Sequence, residues 1–251
     1  MFHMVNYPSL IFVLSFVGLG LAVFIGDYCR EKLWPLDETK RSDFVIVQSA
    51  SLTLLGLLIG FTFSMAVNRY EQRKNYEEDE ANAIGTEYVR ADLLPDADTS
   101  RLHDLLKQYL NQRVEFYTTR DAEQLHRINT ASDQLEQELW YLVQSRGTAH
   151  PSPMLALAVS GMNDVLNARG YTQAAWWNRI PTAAWILLVA IAIGCNLMIG
   201  YGARRKSTAL FMVFPLAVSL SFFLIADIDS PRGGLIRVRP QNLISLSEHL
   251  R

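Results

Sequence analysis

Charge is what the longest apolar stretches of this sequence lack. Four blocks, Leu10 to Ile25, Phe44 to Val67, Thr182 to Tyr201 and Thr208 to Ile225, contain no Asp, Glu, Lys, Arg or His. A transporter driven by protons or ions keeps at least one such group at mid-depth, because that group does the coupling. Its absence argues for a passive pore or a structural anchor. Sulfur is scarce too: there are two cysteines, one (Cys195) inside an apolar block and the other (Cys29) flanking a different one, which is no disulfide framework.

Histidine is equally sparse. His3, His103, His126, His150 and His249 never stand at i and i+4 and never join a Glu as His-Glu-x-x-His, so no metal hydrolase is expected. There is no Gly-rich phosphate loop, no Gly-x-Ser-x-Gly elbow and no Ca²⁺-loop pattern. We expect no enzyme, no cofactor and no metal site. A formal charge of −2 leaves no excess of Lys and Arg for a phosphate footprint, so nucleic acid is not an expected partner.

What the chain has instead is apolar length. Half of its residues are apolar, and they gather into blocks of about 16 to 24 residues, against the 17 to 25 that span a bilayer as helix. Membrane lipid is therefore an expected partner. No Lys or Arg precedes the first block and no small-x-small site follows it near Gly26, so we take it as a retained membrane helix. The expected organisation is all-α. Residues 1–67 hold two spans and a polar link from Asp27 to Asp43, with Tyr28 and Trp34 at headgroup level. Residues 68–181 form an extramembrane helical bundle, 182–226 two further spans, and 227–251 a tail with a turn-rich exit and a short terminal helix.

The second block does not stop at Val67. No Pro or turn cluster interrupts the pattern until Pro95, so one helix leaves the membrane and continues through Arg69, Arg73 and the acidic run Glu77 to Glu80 to near Leu94. Neighbouring helical residues point in different directions, so that run is expected to be a solvated surface or to form salt bridges between protomers, rather than a cation site. Bundle helices are expected over Thr99 to Thr118, through Leu125, Ile128, Ser132, Leu135, Leu139 and Leu142, and over Met154 to Asn178, where Gly161 and Gly170 weaken continuity.

Within the second block Ser49, Thr53, Leu57 and Phe61 lie four apart, beside Gly56 and Gly60 at the spacing of a helix-packing motif. One row can line something and the other can pack closely. The span hydroxyls and amides, Ser49, Ser51, Thr53, Thr62, Ser64, Asn68, Asn196, Ser219 and Ser221, have a plainer reading: each bonds the carbonyl of the preceding turn or a neighbouring helix.

Gly60 and Phe61, then Asn68 and Arg69 followed by Tyr70, resemble the pore-helix signature of bestrophins. The runs Leu55 to Ala66, Asp79 to Thr86, Arg90 to Pro95 and Ala226 to Val238 are similar to a bacterial bestrophin-like membrane family. The resemblance implies a homopentameric anion channel in the bacterial inner membrane, with four membrane helices per protomer and the termini and bundle in the cytoplasm. Lys and Arg near the span ends do not choose an orientation by themselves. Carried over from Gly60 and Phe61, the neck falls on Thr53, Leu57 and Phe61, with Ser49, Ser64, Asn68 and Arg69 lining the pore or its vestibule. A hydrophobic ring gates by dewetting, and electropositive aromatic edges can face a passing anion. The chain departs from the family after the fourth span, where Pro231 is followed by Arg232, Gly233 and Gly234 rather than acidic ligands, so Ca²⁺ gating is not expected. The competing reading is a non-conducting, membrane-anchored scaffold or sensor that binds a partner through the Leu125 to Leu142 seam of its bundle.

Overall fold

The structure, a computed structural model, describes residues 7–33, 36–94, 96–149, 152–203 and 208–250. Among them every regular element is helical: α1 (Pro8–Lys32), α2 (Arg41–Arg90), α3 (Asp96–Thr118), α4 (Ala122–Ala149), α5 (Pro153–Trp177), α6 (Thr182–Gly202), α7 (Thr208–Asp229) and α8 (Gln241–His249). Four helices are long and apolar enough to cross a membrane, as the apolar blocks require. The chain divides into two compact units, Met1–Arg69 with Arg179–Arg237 and Tyr70–Asn178 with Val238–Arg251.

In the first unit α1 packs against α6 and α7. Glycine sets the α1/α6 approach: a Cβ on Gly26 would collide with the Leu197 carbonyl, and one on Gly200 with the Val23 carbonyl. Lipid gives no hydrophobic drive for helices to associate, so such backbone proximity supplies the dispersion contact that holds them. At this end Arg41 donates to the Gly202 carbonyl at 3.0 Å, and Phe44 meets Tyr201 at 5.4 Å between ring centroids. Helix α1 runs further than the sequence implies and absorbs Asp27 to Lys32, the first part of the expected polar link. Arg30 pairs with Asp27 one turn back at 2.6 Å, and Arg30 and Lys32 lie in the last turn, where cations favour the helix dipole. Tyr28 is exposed; Trp34 lies outside the described residues.

The second unit is a bundle of α3, α4, α5, α8 and the later part of α2. Its core gathers Ile84, Leu102, Leu106, Tyr109, Phe116, Leu139 and Met162. The α4 seam belongs to this core: Ile128, Ser132, Leu139 and Leu142 are buried, and Leu125 and Leu135 pack against them. Helix α5 starts where Ser152 accepts from the Leu155 amide, with Pro153 in the first turn, and passes without a break through Gly161 and Gly170. Gly161 is used: a Cβ there would strike the side chains of Glu87 and Arg90.

Candidate functional site

Helix α2 is continuous for 50 residues and has two different faces. Ser42, Ile46, Ser49, Thr53, Leu57, Phe61, Ser64 and Asn68 are all exposed, and steps of three and four carry the same stripe on through Glu71, Asn75, Glu78, Asn82, Thr86 and Val89. That rhythm averages about 3.6, so these residues stack along one side. Leu55, Thr62 and Ala66, then Arg73, Glu77, Glu80, Ile84 and Glu87, are buried on the opposite side.

The stripe brings together six of the expected site residues. Leu57 is 52% exposed and Phe61 60%, large values for apolar side chains in the middle of a helix. Only 6% of the apolar window of this span is buried, against 28%, 33% and 50% for the other three. A Cβ on Gly56 or Gly60 would meet nothing within 4 Å among the described residues. Arg69 stands about 100° round from Asn68, off the stripe, and its Nη1 is enclosed without a hydrogen-bond partner among the described residues.

The plain reading of the span polar groups holds for five of them. Ser51, Thr53, Thr62, Asn196 and Ser221 bond to the carbonyl four residues back, at 2.7 to 2.9 Å for Thr53, Thr62 and Asn196. Ser219 is buried and its hydroxyl has no partner among the described residues.

The acidic run is not the solvated surface that consecutive spacing suggested. Glu78 and Asp79 are exposed, but Glu77 and Glu80 are buried. Glu77 accepts from the Leu243 amide at 3.0 Å and from Asn242 at 2.7 Å, which places a carboxylate on the open N–H groups of the first turn of α8. Burial raises its pKa and those bonds oppose the rise. Glu80 accepts from Arg113 and, at 3.2 Å each, from Tyr117 and Thr172. Burial is the largest single influence and works against the Arg113 cation, but the Glu80 carboxylate together with Tyr109 and Tyr117 outweighs it, so the guanidinium stays charged. Glu87 has no hydrogen-bond partner among the described residues for either oxygen, and burial pushes its pKa to about 8 despite the attraction of Arg90. The signal for these three was the three-and-four rhythm joining Arg73, Glu77, Glu80, Ile84 and Glu87; it says which side they share, not which distant residues meet them.

Two more buried carboxylates end the fourth span. Asp229 accepts from the Ile180 amide at 3.2 Å, ahead of α6. Asp227 accepts from the amides of Leu235 and Ile236 at 2.7 and 2.8 Å, and a Cβ on Gly234 would strike the Asp227 carbonyl. The chain after α7 thus folds back so that Leu235 and Ile236 cap one aspartate of its last turn. Among the described residues no three His, Cys, Asp or Glu side chains stand close enough to hold a metal ion.

Known proteins with this arrangement are found by fold. A family profile described as Bestrophin-like domain matches residues 36–243. A bacterial bestrophin homologue from Klebsiella pneumoniae superposes with a TM-score of 0.66 at 13% identity, over 96% of each chain. A point variant of a bacterial bestrophin homologue from Klebsiella pneumoniae gives 0.69 at 12% identity over 95% of each, and another gives 0.68 at 15%, over 95% of this chain and 97% of that one. No curated protein matches the sequence.

Proposed function

Because the chain belongs to the bestrophin-like family, we propose that this multi-pass membrane protein is an ion channel in which copies of α2 surround an axial pore. The copies form a homopentamer by family resemblance, set in the bacterial inner membrane with the bundle on the cytoplasmic side. Thr53, Leu57 and Phe61 form the neck, Ser49, Ser64 and Asn68 line the approaches, and Arg69 stands at the vestibule. Gly56 and Gly60, bare within one chain, let neighbouring copies of α2 approach. The observation that carries this reading is the unburied stripe. The Ser49 and Ser64 hydroxyls and the Asn68 amide would be poorly solvated facing acyl chains, whereas facing a water-filled axis they are hydrated; the Thr53 hydroxyl is already bonded to the Ser49 carbonyl. Leu57 and Phe61 between them supply an apolar constriction that opens and closes by wetting.

Small anions are the proposed permeant species, by the family resemblance and by the electropositive ring edges of Phe61. Cations are a second reading with its own support: Glu71 and Glu78 lie on the same exposed stripe beyond the span, and rings of carboxylates select cations. The α4 seam named for the scaffold alternative lies in the bundle core, which supports the channel reading over it. Planar-bilayer recording of purified protein tests the proposal. Wild type is expected to conduct and Phe61→Ala to conduct more, with the reversal potential in a KCl gradient giving the sign of the permeant ion. No conductance from either protein overturns it.

A further inference from the structure

Glu77 and Glu80 meet donors from other helices, but Glu87, further along the same buried side of α2, does not. It is fully buried, and neither carboxyl oxygen has a hydrogen-bond partner among the described residues. A carboxyl group enclosed without a donor is stable there only as the neutral acid. Burial, the largest influence on it, accordingly raises its pKa to about 8, with the Arg90 cation pulling the other way and the Asp164 carboxylate adding to the rise.

Arg90 is placed to relieve Glu87 and is turned elsewhere. It is the last residue of α2, three after Glu87, a spacing at which a carboxylate and a cation meet. Both side chains lie against Gly161 of α5, where a Cβ would strike the Glu87 carboxyl and the Arg90 guanidinium. Arg90 Nη1 nevertheless reaches across to Asp164, on the next turn of α5, at 3.9 Å. One guanidinium therefore stands between two carboxyl groups: Glu87, enclosed on its own helix, and Asp164, 62% exposed across the joint. Helix α3 brings His103 and Lys107 to the Tyr88 ring, with His103 Nε2 2.9 Å from the Tyr88 carbonyl and 3.6 Å from the Asp92 carboxylate. Helix α8 brings His249 to the groove that Arg90 lines, with Nδ1 2.7 Å from the Ser245 carbonyl.

We propose that Glu87, Arg90 and Asp164 form a proton-operated brace between α2 and α5. With Glu87 protonated, Arg90 spans the joint to Asp164. When Glu87 releases its proton to solvent, Arg90 turns back to the new carboxylate and the pair across the joint opens. The exchange goes this way because an exposed ion pair contributes little, whereas a charge created inside the bundle must be compensated. Arg90 already lies beside Glu87 against Gly161, so the core need not open for it to turn. The brace is closed in acid and opens as pH rises through the folded pKa of Glu87. It lies within one bundle and does not depend on ion conduction.

Two measurements on full-length protein in lipid bilayers test this as pH is raised from acid to alkaline. Infrared difference spectroscopy reads the proton, through the carbonyl stretch of a protonated carboxyl group. Amide hydrogen exchange of α5, corrected for the intrinsic pH dependence of exchange, reads the brace. Wild type is expected to lose, with a midpoint at about 8, a protonated-carboxyl band that Glu87→Gln lacks. Exchange around Gly161 to Asp164 should rise several-fold over the same range. In Glu87→Gln it should stay slow throughout, which assigns the rise to Glu87 rather than to the histidines that the variant keeps. Asp164→Asn, at an exposed position, leaves Arg90 to Glu87 and is expected to move the band midpoint down by about one pH unit, a tenfold change in proton concentration. Wild type without such a band overturns the brace, as does a rise in α5 exchange that Glu87→Gln retains. So does a midpoint that Asp164→Asn leaves in place, since Arg90 would then not be shared. If Glu87→Gln fails to fold, the midpoints of wild type and Asp164→Asn still decide.

Discussion

The two halves of α2 treat their solvent in opposite ways. Up to Arg69 the helix turns large apolar side chains outward, Leu57 and Phe61 among them, and buries little. From Tyr70 on it turns Asn75, Glu78 and Asn82 outward and buries Arg73, Glu77, Glu80 and Glu87. A membrane segment can leave hydrocarbon exposed because lipid, or another copy, solvates it. A charge in the bundle can be buried only where a partner or a proton compensates it. One helix thus shows that exposure and polarity are matched to the medium, and in the proposed channel the half with exposed apolar groups is the half that meets neighbouring copies.

The sharpest break in that comparison is at Glu80. Glu80→Ala leaves the Arg113 cation enclosed and unpaired and is expected to cost about 3–5 kcal/mol, read from denaturant unfolding of the bundle. Glu78→Ala, two residues away and exposed, is expected to stay within about 0.5 kcal/mol. Equal losses would mean that the buried pair is not a feature of the folded chain.

Glu87 gives the comparison a pH axis. Its folded pKa of about 8 lies above the ordinary 4.5, so between those values the folded bundle keeps a proton that the unfolded chain releases. Stability should therefore fall as pH rises from 4.5 to about 8 and level off above, by on the order of a few kcal/mol at 1.4 kcal/mol per pH unit. Melts at a series of pH values should show this slope in wild type and lose most of it in Glu87→Gln. An unchanged slope in the variant would place the proton elsewhere.

How much of this was legible in the sequence follows from the range of each interaction. Apolar blocks, the unbroken run into Arg90 and the α4 seam are local patterns, and each became the helix or core stripe that its period demanded. The exposed row could be picked out by spacing, but spacing does not say what a row faces. The burial of Glu77 and Glu80 was not legible, because Asn242, Leu243, Arg113 and Thr172 are brought to them only by the packed bundle. Glycine divides in a similar way. Gly56 and Gly60 have the packing spacing and open space beside them among the described residues, while the close approach of α1 and α6 is made by Gly26 and Gly200, which lie on different helices and share no local motif.

That contrast yields two smaller effects. Gly200→Val drives a side chain into the Val23 carbonyl and is expected to cost about 1–3 kcal/mol or more, seen as easier unfolding in mixed micelles. Leu57→Ala should stay within about 0.5 kcal/mol for the subunit by the same measurement, because little within its own chain covers Leu57. A large loss there would show that the stripe is already packed inside one protomer.

The account rests on what the stripe faces, and spin labels can report that directly. A nitroxide placed by substitution at Phe61, in protein whose two native cysteines are replaced and which is reconstituted in bilayers, is tested for collisions with a water-soluble nickel chelate and with oxygen. The expected result is access to the chelate at mid-span together with dipolar broadening from identical labels on neighbouring copies. Access to oxygen alone, with no broadening, would put Phe61 against acyl chains and contradict the pore.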